Sequence, residues 1–473
     1  MRRSAVDGWC QVRLLMPCMD EAMEYRLEDR AYRRRMTRRD FLWLMSAGSA
    51  VASVPLLSGC ATHPVTGQQV LVGMSEADEV NVDRRYAPHQ VSRDYGSIQD
   101  PALGQYASRV GSSLSSRSHR PQVPYSFNVV NANYINAYAF PGGTIAATRG
   151  ILLEMQSEAE FAALMGHEIG HVNARHSAQR AGQGLLAQVA VAGVAIAAGT
   201  SDRTSSYAPL IEIAGTIGAS ALLASYSREN EREADSLGME YMTRAGYSPD
   251  GMVGLMNVLV RQSSEKPGLL DTMFSSHPMS GERLESMRAA AAARAVKSAE
   301  GTLLRERYMD STAGLRLLKP AIEEQQKGER LMSRKSFAEA EQHFSTALKA
   351  APADYTGLCL MAKCQVAQKR YDRARQYTTL ARQSNPREAQ AMQLSGVANL
   401  ALKDHAGAFQ EFDAYERALP GDPNAAFFKA VTMEGLQNRP AAAREYQRYL
   451  SLVKSGSQAN HAVSRLKAWG YAK

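Results

Sequence analysis

The last third of this 473-residue chain repeats itself every 34 residues, and that period constrains its fold more than any other feature. Gly328, Ala362, Gly396 and Ala430 stand 34 apart, as do Ala340, Ala374, Ala408 and Ala442. Phe344, Thr378, Phe412 and Tyr446 keep the same step, and so do Pro352, Pro386 and Pro420. A unit of this size cannot bury its own apolar face, so neighbouring units must stack on it to complete a core. Columns of small residues allow close approach, a mostly bulky column fills the space between elements, and prolines punctuate the turns.

The pattern resembles the tetratricopeptide repeat, in which each unit is a helix–turn–helix. The resemblance implies about four units over residues 321–473, forming a curved array whose concave surface binds other proteins. Residues 306–320 read as a linker between this array and the domain before it.

A second feature carries chemistry. The stretch Ser157 to Arg180 holds no proline, is rich in Ala, Leu, Met and Glu, and places Phe161, Leu164, Met165, Ile169 and Val172 at helical spacing. Within it lies His167-Glu168-Ile169-Gly170-His171. On a helix, positions i and i+4 share a face, so two imidazoles at that spacing can grip one Zn²⁺. Glu168 is then placed to take a proton from a water activated by the metal. Gly166 and Gly170 are weak helix formers, and beside the His pair they are expected to leave room for metal or substrate.

A catalytic zinc site has three protein ligands as a rule, with water in the fourth position. Ala174 and Ser177 stand where a metzincin site has Gly and a third His, so that pattern fails. His176 on an ideal helix points away from the face of His167 and His171, so it reads as a residue behind the ligands. A carboxylate from the proline-free stretch Ser227 to Asp235 would complete a His₂Glu site, and composition alone does not choose among Glu229, Glu231 and Glu233.

The H-E-x-x-H motif is followed by Arg175-His176, then by Ser227-Arg228 and Glu231-x-x-Ala234-Asp235. It is preceded by Asn136-Ala137-Tyr138-Ala139-Phe140-Pro141-Gly142-Gly143. This set resembles the HtpX-like and CAAX-prenyl-protease-type zinc metallopeptidases. The resemblance implies Glu231 as the third ligand and one Zn²⁺ per chain, with Glu168 as catalytic base. It also marks a strand through Asn136, Ala137 and Tyr138 to which an extended substrate would add. Asp235, one turn beyond Glu231, is expected to orient a ligating His or Arg175 from behind. His277, in Phe274-Ser275-Ser276-His277-Pro278, matches a His that in periplasmic members of that family can cap the metal and keep the enzyme latent, so the resemblance makes it a candidate regulatory fourth ligand.

Near the chain's start, Thr37-Arg38-Arg39-Asp40-Phe41-Leu42 has the form of a twin-arginine signal, with an apolar run to Leu57. Leu57-Ser58-Gly59-Cys60 has the form of a lipobox, so residues 36–59 read as an export signal and Cys60 as the lipidated residue. Residues 1–35 read as an over-extended gene start. The net charge is +8, of which 1–35 carry +2 and 36–59 carry +1. The +5 left on the remaining 414 residues is too mild for a dedicated nucleic-acid surface. Three cysteines remain, Cys60, Cys359 and Cys364, too few for a disulfide framework, and the last two read as buried apolar residues. Two Ala- and Gly-rich apolar stretches, 184–199 and 210–224, are short for membrane spans and read as helices packed on the catalytic domain or touching a membrane surface.

The expected fold is mainly α: a zincin-type α+β metallopeptidase domain with a small sheet over 60–305, then an all-α tetratricopeptide solenoid. The expected function is a zinc endopeptidase of the bacterial cell envelope that cleaves misfolded or misassembled outer-membrane and periplasmic proteins. The repeats would hold such proteins, or the outer-membrane assembly machinery, with chaperone activity. Ala61 lacks the Asp that favours inner-membrane retention, so the expected place is the periplasmic side of the outer membrane. The alternatives are a scaffold or chaperone with a latent metal site, and a processing protease with one substrate.

Overall fold

The computed structural model describes residues 59–184, 225–265, 273, 276–279, 281–295 and 302–472. The expected leader segment 1–35, all of the expected segment 36–59 but Gly59, and nearly all of the two apolar stretches lie outside these residues. Among the described residues no helix is long and apolar enough to cross a membrane.

The N-terminal half begins with a hairpin, β1 (Cys60–Thr62) against β2 (Gln69–Leu71). Helix α1 (Glu76–Arg93) starts with a capping box in which Ser75 and Asp78 satisfy each other's backbone N–H. Helix α2 (Pro101–Ser115) starts with Asp100 as cap and Pro101 in the first turn. Then come β3 (Ser126–Val130), β4 (Ala137–Ala139) and β5 (Thr144–Thr148), in the order β3–β5–β4. β3 runs parallel to β5 and β4 antiparallel to it, with Tyr138 opposite Ala146. Ile145 and Ala147 pack into one hydrophobic cluster with α2, while Ala146 joins Val72, Met74 and Ala87 in another. The sheet is therefore covered on both faces, and its central strand reads as an apolar run.

β5 leads directly into α3 (Arg149–Glu154), capped by the Thr148 side chain. Helix α4 (Glu158–Asn173) carries the two histidines and is capped by Ser157. The single helix expected over 157–180 is interrupted: Arg175 takes a left-handed φ of 59°, and helical turns resume at His176. Helix α5 (Arg228–Arg244) crosses α4, followed by α6 (Asp250–Glu265) and α7 (Gly281–Ala295).

The small residues beside the His pair serve this crossing, which corrects the expectation that they leave room for a ligand. A Cβ on Gly170 would stand 2.9 Å from the Ala234 carbonyl oxygen, and one on Gly166 2.9 Å from that of Gly238. Gly238 in turn faces the backbone nitrogen of His167, 2.7 Å from where its own Cβ would be. Backbone cannot yield as a flexible side chain can, so these three positions hold the helices at the distance that brings α5 carboxylates to α4 imidazoles. Gly170→Ala is expected to destabilise the protein by about 1–3 kcal/mol, the usual cost of overpacking, with weaker zinc uptake. Thermal melting and a zinc titration check this.

Residues 306–320 are not a linker. They form α8 (Arg305–Ser311), α9 (Ala313–Leu317) and the start of α10 (Lys319–Ser333). Tyr308 and Leu315 are buried in the core of the N-terminal domain, and the Tyr308 hydroxyl donates to the Leu152 carbonyl at 2.6 Å. The onset of the 34-residue period marks a boundary here, but Tyr308, Leu315 and Ile322 join the core of the domain before it.

The repeats run through α10, α11 (Phe337–Ala350), α12 (Tyr355–Ala367), α13 (Tyr371–Ser384), α14 (Ala389–Ala401), α15 (His405–Ala418), α16 (Pro423–Gly435) and α17 (Arg439–Leu452), closed by α18 (Ser457–Ala468). The Ala340 and Phe344 columns are fully buried at all four positions. At Gly328 a Cβ would meet the Phe344 ring at 2.3 Å, and at Gly396 the Phe412 ring at 2.5 Å, so glycine stands where the bulky column presses. Cys359 and Cys364 are buried free thiols within α12.

One 34-step column went unread in the sequence. Lys335, Lys369, Lys403 and Gln437 all take φ near 60° just after the first helix of each unit. In each case the next residue's N–H reaches back five positions to a helix carbonyl, as Ser336 does to Leu331 at 2.9 Å and Arg370 to Gln365 at 2.9 Å. These are Schellman closures, normally occupied by glycine, here held by long polar side chains.

The solenoid is seated on the N-terminal domain. Arg149, 1% exposed, pairs with Asp354 at 2.6 Å and also bonds Asn133 and Gln325. Gln326 donates to the Asn133 carbonyl at 2.8 Å, Thr356 to the Asn131 carbonyl at 3.0 Å, and Gln390 to the Ser92 carbonyl at 2.6 Å.

Candidate metal centre

Four side chains from three places in the sequence converge. His167 and His171 come from α4, Glu231 from the first turn of α5, and His277 from the segment before α7. One ligand atom from each lies within 4.8 Å of the others, and all four residues are buried. His171 Nε2 is 3.0 Å from His167 Nε2 and 3.4 Å from Glu231 Oε1. His277 Nδ1 is 3.0 Å from Glu231 Oε1 and 3.5 Å from His167 Nε2. Of the three glutamates that composition left equal, only Glu231 enters this cluster. Glu229 is at the exposed edge with Arg232, and Glu233 turns to His176.

Glu168 lies beside the cluster. It is 1% exposed, its Oε1 is 3.9 Å from His277 Nε2, and its Oε2 has no hydrogen-bond partner. Burial raises its pKa, against the attraction of His277 and His167. Burial also acts on Glu231, but His277 and the other imidazoles outweigh it and hold the carboxyl well below its ordinary value. Burial pushes His171 well below the usual imidazole range, which keeps it neutral and able to donate a lone pair. His277 is raised: burial opposes its charge, but Glu231 and Glu168 outweigh burial.

Asp235 sits behind His167, with Oδ1 2.9 Å from Nδ1. A carboxylate there requires His167 to carry its proton on Nδ1, leaving Nε2 bare and aimed at the cluster. Burial favours the neutral acid, but His167 and Arg283 prevail and lower the Asp235 pKa. Arg283 went unnoticed in the sequence. It bonds both Asp235 oxygens, at 2.7 and 2.8 Å, and its Nη1 is 2.7 Å from Glu231 Oε2. No local pattern marks it, since its partners lie 48 and 52 residues away. Tyr226 was also missed: its ring stacks on His171 at 3.9 Å between centroids, and its N–H donates to the Ser276 carbonyl, tying the His277 segment down.

Arg175 is not brought to the cluster. Its left-handed turn directs the guanidinium to Glu79 at 2.7 Å and to the Met74 carbonyl, where it anchors α1 instead of a ligand residue. His176, displaced by the same turn, bonds His171 Nδ1 at 2.9 Å.

Asn136, Ala137 and Tyr138 lie in or beside β4, at the sheet's edge. The Thr148 N–H to Asn136 carbonyl bond (3.0 Å) and the Phe140 N–H to Thr144 carbonyl bond (2.8 Å) set the ladder's parity. Ala137 and Ala139 therefore turn their N–H and C=O away from β5, toward the edge. Their side chains are buried, and the Tyr138 hydroxyl donates to Asp94 at 2.7 Å. Past the end of β4, Ala139, Phe140, His171 and Tyr226 meet around a crevice too tight to hold a water. Cys60 opens β1 as an exposed free thiol.

The residues suit a divalent cation. A bare imidazole nitrogen, a neutral second imidazole and an ionised carboxylate converge in a buried space, a donor set borderline-soft ions prefer. Such a site, on crossed helices beside a small sheet and followed by helical repeats, defines a metalloendopeptidase domain joined to a tetratricopeptide solenoid.

Comparison with known proteins agrees. Residues 101–291 match the family model described as Peptidase family M48, and residues 331–395 match the tetratricopeptide repeat. The chain is 30% identical over 253 residues to the Beta-barrel assembly-enhancing protease of Yersinia pestis, covering 51% of each protein. It is 32% identical over 200 residues to the protein of the same name in Escherichia coli strain K12, covering 40% of this chain and 39% of that one. It is 26% identical over 246 residues to Metalloprotease YcaL of the same strain, covering 50% of this chain and 92% of that protein. The chain thus spans about half the length, or less, of the first two relatives.

Proposed function

We propose that this protein is a zinc-dependent endopeptidase of the bacterial cell envelope that acts on misfolded or misassembled outer-membrane and periplasmic proteins. The observation that carries the reading is the buried convergence of His167, His171 and Glu231 with the unpartnered oxygen of Glu168 beside them. Those three residues would hold Zn²⁺, which when bound polarises a peptide carbonyl and makes water more acidic. Glu168 takes the proton from the attacking water and passes it to the leaving amine. Asp235 and Arg283 keep His167 in the productive tautomer. The outward-facing backbone of Ala137 and Ala139 pairs with an extended substrate, as expected for an edge strand. A lipid on Cys60 would tether the protein to a membrane facing the periplasm, and the relatives' name, Beta-barrel assembly-enhancing protease, supports β-barrel assembly as the setting in which the repeats bind a partner.

A second reading, a repeat-based chaperone with a latent metal site, is favoured by His277. It is 4% exposed and contacts both His167 and Glu231, the position of a fourth protein ligand, which would close the site as in structural zinc. His277→Ala is expected to speed cleavage of an unfolded envelope protein while one zinc per chain is retained. If wild type and His277→Ala both hold zinc and neither cleaves, the chaperone reading takes over.

A further inference from the structure

Behind His171 runs a chain of contacts that leads out to the first hairpin. His171 Nδ1 meets His176 Nδ1 at 2.9 Å, and His176 Nε2 meets Glu233 Oε2 at 3.1 Å. The other Glu233 oxygen lies 3.5 Å from His63 Nε2. His63 is buried in the hairpin turn, and its Nδ1 accepts from the backbone N–H groups of Thr66 at 3.2 Å and Val65 at 3.3 Å.

The proton positions in this chain follow one from another. Two backbone donors occupy His63 Nδ1, so its proton is on Nε2, facing Glu233. A carboxylate only accepts, so His176 must also present a proton on Nε2. The bare Nδ1 of a neutral His176 then accepts from His171 Nδ1–H, and His171 is left with a bare Nε2 turned toward His167 and Glu231. Asp235 does the same for His167 in one step. His171 lacks a carboxylate of its own and borrows Glu233 through His176.

We infer that Glu233, braced by His63 and acting through His176, is a positioning residue that fixes the tautomer and orientation of His171 as a metal ligand. This rests on the reading of His171 as a ligand. It assigns separate work to two neighbouring acids of α5: Glu231 faces the metal and Glu233 holds a ligand from behind. It also ties the metal centre to the hairpin that begins at Cys60, three residues before His63.

The test is zinc affinity of the full chain, measured by competition with a chromophoric chelator, with the melting temperature of the zinc-free protein in parallel. Glu233 is about a third exposed, so its replacement leaves no core cavity. Glu233→Leu is expected to weaken zinc binding by about 10–100-fold, the usual effect of losing a residue that orients a ligand, at unchanged zinc-free melting. Glu233→Gln keeps an acceptor for His176 and is expected to recover most of the loss. His176→Phe is expected to match Glu233→Leu, with no further loss in the double variant. Affinity within twofold of wild type in Glu233→Leu, or additive losses in the double variant, would overturn the inference. A wild-type chain that takes up no zinc would remove the metal reading and this inference together, whereas tight wild-type binding with indifferent Glu233 variants removes the inference alone.

Discussion

Replacing Glu168 by Gln is expected to lower kcat/KM for cleavage of an unfolded protein by about 10²–10⁴-fold, the range that general acid–base groups supply. Zinc content should stay at one per chain, because the amide leaves His167, His171 and Glu231 untouched. The substitution is nearly isosteric, so no cavity forms around a side chain that is 1% exposed. Gln cannot accept the water's proton and cannot return one to the leaving amine, so both steps are lost while binding survives. Burial raises the pKa of the native carboxyl, so the neutral amide is no harder to bury and the melting temperature should hold or rise. Single-turnover cleavage with metal-replete protein checks this. Activity that persists in Glu168→Gln would mean another group moves the proton and would sink the assignment of Glu168.

Arg149→Ala is expected to cost about 3–5 kcal/mol, as removal of one partner from a buried ion pair does. Arg149 spans the seam between the two halves, and its loss strands Asp354, which also caps α12 through the Gly357 N–H at 2.9 Å. Replacing both partners with apolar residues should cost less than the single change, since no lone charge is then left buried. The pH dependence has a definite sign. Burial tends to raise the Asp354 pKa, but Arg149 and the hydrogen bonds outweigh it and hold the carboxyl below its ordinary value. The pair therefore stabilises the fold above the unfolded-state pKa of about 3.9, and its contribution fades as pH falls through the lower folded-state value. The stability gap between wild type and Arg149→Ala should narrow as pH falls below about 3.9, as denaturant unfolding at neutral and acid pH would read. A gap that widens would contradict it.

Sequence alone determined what lies within one helix or one period. The 3.6-residue turn puts His167 and His171 on one face wherever the helix ends up. The 34-residue step fixes the Ala340 and Phe344 columns, because every unit repeats the same contact with its neighbour. Tertiary structure decided what depends on how separate elements meet. Gly166, Gly170 and Gly238 set the crossing of α4 and α5, and that crossing sends Glu231 to the cluster while Glu233 turns to His176. The left-handed turn at Arg175 carries its guanidinium off to Glu79, a choice of backbone state that helical periodicity does not register. Arg283 reaches Asp235 across 48 residues and Arg149 reaches Asp354 across 205, and neither pairing leaves a local pattern. Periodicity records which side of an element is buried, but which charge meets which is settled only when two buried faces are brought together.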